Sequence, residues 1–136
     1  MSVIYVARSA KLSQWASDVG LSKHLFKVGC TAEPAKPFVA AAGWAGETDW
    51  TMVKSQPVPE DFDEAQAIER LARKERMIDP NLYPRLKGTV GIFKVLPAHV
   101  ENSLLVARAL AGEEELRAVK PKPADFASYL IQNALP

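Results

Sequence analysis

The sequence predicts an α+β domain in which a small, mainly antiparallel sheet of three to four strands is flanked by helices. Two observations carry this. Short β-prone runs alternate along the chain with segments of helical spacing, and the helical segments hold more residues. The 136 residues are 48% apolar and 24% charged, which suits one hydrophobic core and argues against wholesale disorder.

Val3, Ile4, Tyr5 and Val6 form the first β-prone run, closed by Ser9. Leu12, Trp15, Ala16 and Val19 keep helical spacing up to Gly20, a C-terminal stop. A short helix, not a tight turn, therefore leads to the second run, Leu25-Phe26-Lys27-Val28, which ends at Gly29. Pro34 and Pro37 open a short helix over residues 38–44, ending near Gly46. Residues 49–53 read as a strand, broken by Gln56-Pro57-Val58-Pro59. The strongest helix spans residues 60–77. Glu60, Asp61, Asp63 and Glu64 lie in its first turns and Arg73, Lys74 and Arg76 in its last, a polarity that complements the helix dipole. Phe62, Ala65, Ile68 and Ala72 line one face.

After the turn Asp79-Pro80-Asn81 and a loop through Tyr83-Pro84-Arg85, residues 89–96 read as a strand that Pro97 ends. A helix over residues 100–110 stops at Gly112. The acidic run Glu113-Glu114-Glu115 and the stiff spacer Pro121-Lys122-Pro123 follow. A last helix carrying Phe126, Tyr129 and Leu130 docks on the body. The reading is one structural domain, with a core over residues 1–96 and a C-terminal helical extension over residues 97–136 packed on it.

The net charge of +1 excludes a protein held to nucleic acid by bulk positive charge, though not a local basic patch. One cysteine forbids an intrachain disulfide, and with two histidines it argues against structural zinc. No apolar run approaches membrane-spanning length, so no membrane partner is expected. Residues 1–8 have no basic region ahead of the apolar ones and do not read as a signal peptide. A cytoplasmic protein is the expectation.

The run Val3 to Val6, followed by Phe26-Lys27-Val28-Gly29-Cys30-Thr31, resembles the GIY-YIG nuclease superfamily, closest to its short, phage-type branch. A helix carrying Glu69, then a strand ending Phe93-Lys94-Val95, extends the resemblance over roughly residues 3–96. It implies a sheet flanked by helices and Mg²⁺-dependent hydrolysis of a DNA phosphodiester. Tyr5 matches the first motif tyrosine, and Val28 and Gly29 the end of the second motif. Val3 stands where that family has glycine, Phe26 where it has its second tyrosine, and Ala72 where a histidine often follows the glutamate. Lys36 is the nearest cation to the family's arginine position, and lacks its planar fork. The implied catalytic residues are Tyr5, Lys36 and Glu69, with Glu69 the metal ligand and Glu64 the alternative.

The chemistry asks for those types. A carboxylate oxygen suits hard Mg²⁺, a cation offsets transition-state charge, and a tyrosine orients or deprotonates water. On a helix starting at residue 60, Glu69 falls within the apolar arc, where a carboxylate needs a partner: a metal, or Arg73 four residues on. Lys27, Arg70, Arg73, Arg76, Arg85 and Lys87 form a candidate DNA-contacting set. Arg73 and Arg76 serve equally as complements of a helix C-terminus. Two further readings stay open on the same scaffold: a catalytically inactive module for a protein partner, and a non-catalytic DNA binder. Convergence of Tyr5, Lys36 and Glu69 on one concave face is the structural expectation of the nuclease reading.

Overall fold

The computed structural model describes residues 2–21, 23–32, 34–112 and 120–135; the acidic run at 113–115 lies outside them. The centre of the molecule is strand β1 (Ser2–Arg8), in which Ile4, Tyr5, Val6 and Ala7 are all buried. A strand apolar on both faces belongs inside a sheet covered on both sides. β1 pairs antiparallel with β2 (Leu25–Thr31) on one side and with β3 (Thr51–Val58) on the other. Beyond β2 lie β5 (Ile92–Lys94) and then β4 (Arg76–Met77), giving the order β3-β1-β2-β5-β4. Five strands, every neighbouring pair antiparallel, replace the three to four expected.

The added strand and the moved boundaries have identifiable causes. β3 runs through Pro57 because it is an edge strand, where proline is tolerated. It also carries a bulge: Val6 faces Lys54 and Ala7 faces Met52, leaving Val53 without an opposite residue. Helix α3 spans Glu64–Ala72 in place of the expected residues 60–77. Asp63 caps it, its carboxylate accepting from Ala65 N at 2.9 Å and Gln66 N at 3.3 Å, so the acids at 60 and 61 precede the helix. At its other end the chain turns extended to form β4, which carries Ile78 into the core at 1% exposure.

The two faces of the sheet hold separate cores. On the first, Ile4, Val6, Phe26, Val28 and Phe93 meet Ala67 and Leu71 of α3, Val100 of α4 (Pro97–Leu110) and Phe126, Ala127, Leu130, Ile131 and Ala134 of α5 (Pro123–Ala134). The C-terminal segment thus supplies much of this core. On the second, Tyr5, Ala7, Leu25 and Ile92 meet Leu12 and Ala16 of α1 (Ala10–Asp18), Val39 of α2 (Ala35–Ala41), and Trp50, Ile78 and Leu86. Among the described residues no helix is long and apolar enough to cross a membrane.

Candidate functional site

The polar feature of the second face is built where β5 stops short. β5 pairs β2 only from Leu25 to Lys27, and one further bond, Val28 N–H to Gly91 O at 2.9 Å, ends the contact. Gly91 makes the departure possible. Its φ is +90°, and a Cβ there would lie 2.7 Å from Val28 O. Beyond that point the outer edge of β2 is served by side chains. The Lys27 ammonium donates to Val28 O at 3.1 Å, and Cys30 N–H donates to Oε2 of Glu64 at 2.6 Å. Glu64 reaches this edge because it is the first residue of α3.

Tyr5 faces Gly29 across the β1–β2 ladder, and Lys27 stands two residues from Gly29 on the same face of β2. The tyrosine lies over the glycine so closely that a Cβ on Gly29 would come within 2.5 Å of the hydroxyl oxygen and 3.2 Å of the lysine Nζ. No side chain other than hydrogen fits. The Tyr5 ring stacks on Trp44 at 5.7 Å and meets Phe38 edge-on at 5.9 Å. Lys27 Nζ lies 5.1 Å from the Trp44 ring centre and 5.9 Å from that of Tyr5, within cation–π range of both. Trp50 locks Trp44 by donating Nε1–H to its carbonyl at 2.8 Å.

Burial and charge set the protonation states. Burial, then the Glu64 carboxylate, then Cys30 push the Tyr5 phenol well above its ordinary value. Burial pulls the Lys27 ammonium down, while Glu64 and Cys30 work in the opposite direction. The Cys30 thiol rises to about 11, through burial first and Glu64 second, against Lys27. At neutral pH Tyr5 is therefore a hydroxyl donor and Cys30 a thiol. This is a tyrosine suited to orienting an anion or water; removing a proton from water is not its ready role.

The expected convergence of Tyr5, Lys36 and Glu69 does not occur. Glu69 lies opposite the buried Ala67 and Leu71 on α3, is exposed, and pairs with Arg73 at 3.1 Å. Its place in an apolar arc required a helix beginning at residue 60; capping by Asp63 moves the arc to Ala67 and Leu71. Lys36 is exposed on α2, pointing away from Phe38 by the helical turn. Glu64 is the carboxylate that accompanies Tyr5.

The expected DNA-contacting track is also dispersed. Lys27 is 6% exposed, inside the niche. Arg70 donates to Ala134 O at 2.9 Å, and Arg73 is taken by Glu69. Arg85 binds Ala45 O and the Glu47 carboxylate, and Lys87 lies over Gly46. Of the set, Arg76 alone stands exposed on a strand, at the far edge of the sheet.

For a divalent cation, the niche offers one carboxylate. Oε2 of Glu64 is taken by Cys30 N–H, and Oε1 accepts from no described residue. Among the described residues no three His, Cys, Asp or Glu side chains gather as a metal cage. A single protein carboxylate is compatible with Mg²⁺, which takes much of its shell from water and substrate phosphate. Comparison of the chain with protein-family models, with curated proteins and with solved structures found no match.

Proposed function

We propose that the chain is a GIY-YIG-like domain that engages a nucleic-acid phosphodiester at the Tyr5–Lys27–Glu64 niche and hydrolyses it with Mg²⁺. The observation that supports this is a hydroxyl donor and an ammonium meeting over Gly29, with a carboxylate on the N–H of the next residue, Cys30, at an interrupted strand edge. Glu64 would hold the cation through Oε1. Bound there, Mg²⁺ supplies Lewis-acid stabilisation of charge on the phosphoryl oxygens. Tyr5 donates to a phosphate oxygen or an incoming water, and Lys27 offsets negative charge in the transition state.

Nicking of supercoiled plasmid in Mg²⁺ or Mn²⁺ is the test, with Glu64→Gln, Tyr5→Phe and Glu69→Gln beside the parent. The expected result is cleavage that falls about 100-fold or more in Glu64→Gln and is unchanged in Glu69→Gln. Absence of cleavage, or equal cleavage by Glu64→Gln, overturns the hydrolytic assignment.

A second reading, an inactive module for DNA or a protein partner on the same scaffold, draws on two observations. The Tyr5 phenol is pushed toward its protonated form, and Arg70, Arg73 and Arg85 are committed to internal partners. Salt-dependent DNA binding without cleavage selects the DNA-binding form of that reading, and no DNA binding selects the protein-binding form.

A further inference from the structure

A second polar site lies at the β4 edge of the sheet, beyond β5, and shares no residue with the niche. In the β4–β5 ladder, Arg76 stands directly opposite Lys94. Like charges facing each other across an antiparallel pair are unfavourable. Lys74, two residues before Arg76, joins them around a surface cavity of about 350 Å³ that Glu75, Leu96 and His99 complete. None of the three cationic side chains has a hydrogen bond or ion pair with another described residue.

Glu75 is the carboxylate of this cavity, and its charge is turned inward. It is 4% exposed, with Oε1 held by the Tyr129 hydroxyl at 2.7 Å and His99 Nδ1 at 2.6 Å, and Oε2 accepting from Leu96 N–H at 3.4 Å. With Nδ1 engaged by Glu75, the half-exposed His99 ring also lines the cavity. Three cations and a histidine therefore border a concavity of ligand-binding size, while Glu75, the one acid among its described lining residues, is occupied by its own donors.

We propose that this cavity binds a phosphoryl anion. Arg76 offers its planar fork, Lys94 and Lys74 offer point charges, and the anion relieves the repulsion that the register imposes. The exposed Leu96 provides an apolar wall for whatever carries the phosphate.

Thermal unfolding at fixed ionic strength, with inorganic phosphate replacing chloride, tests the proposal. Phosphate at ten times its dissociation constant raises the parent midpoint by roughly 4–6 °C. Arg76→Gln/Lys94→Gln folds, starts from an equal or higher midpoint without phosphate, and loses that rise. Lys11→Gln, an exposed cation on α1, keeps it. A parent that responds equally to phosphate and chloride overturns the proposal, as does a double variant that responds like the parent. Competition by a 5′-phosphorylated oligonucleotide, and not by its unphosphorylated twin, assigns the anion to a nucleic-acid end. Competition by neither assigns it to a small phosphate ligand.

Discussion

Lys27 and the pair Arg76–Lys94 are cations on neighbouring strands of one sheet, yet their surroundings are opposite. Lys27 is buried beneath two aromatic rings, donates to a carbonyl and feels the Glu64 carboxylate. Arg76 and Lys94 face one another at an open edge with no described partner. The first arrangement is fixed by the fold itself: an interrupted strand leaves a carbonyl and an N–H that side chains must satisfy. The second leaves its balance to solvent or to a ligand. One cation is balanced within the fold; the other pair leaves its charge unbalanced by any described residue.

The interruption of β5 is where this contrast is most exposed to attack. Gly91→Ala forces a side chain onto a positive φ and against the Val28 carbonyl. The expected cost is roughly 2–3 kcal/mol in urea unfolding, and a loss under about 0.5 kcal/mol would mean the gap is not held by Gly91. Lys27→Met has a smaller expected effect on stability, within about 1 kcal/mol of the parent, because relief from burying charge offsets the lost bond to Val28 O. The same variant removes phosphodiester binding at the niche if that proposal holds. A large destabilisation with binding intact would reverse the roles assigned to Lys27.

A third effect is confined to alkaline solution. The Cys30 thiol ionises near 9 in the unfolded chain and at about 11 when folded. Between those values the unfolded state holds fewer protons, so this contribution to stability is complete below pH 9 and is lost as pH rises toward 11. Cys30→Ala is expected to lose less of its urea midpoint between pH 8 and pH 10 than the parent. Equal losses would show that Cys30 does not titrate against the buried face.

The fold class was legible because it depends on local signals. The run from Val3 to Val6, the stop at Gly20 and prolines at helix starts act within a few residues of themselves. Strand β4 was not legible, since residues 76 and 77 continue the basic run that reads as a helix end and extend only because β5 offers a partner. The site divides the same way. Tyr5 was singled out through the motif resemblance of its strand, whereas placing Glu64 rather than Glu69 beside it required knowing where α3 begins. Asp63 was the available signal, being a strong cap immediately before the helix. The burial of Lys27 was hidden because it depends on Trp44, seventeen residues away, folding over the sheet.

The contribution of α5 to the first core has a consequence for how the chain is made. Phe126, Leu130 and Ile131 share a core with Ile4 and Val6, so β1 is sealed by a helix that is synthesised long after it. At about 5–20 residues per second, synthesis leaves that apolar face open for several seconds or more. During that interval the surface that α5 later covers faces water.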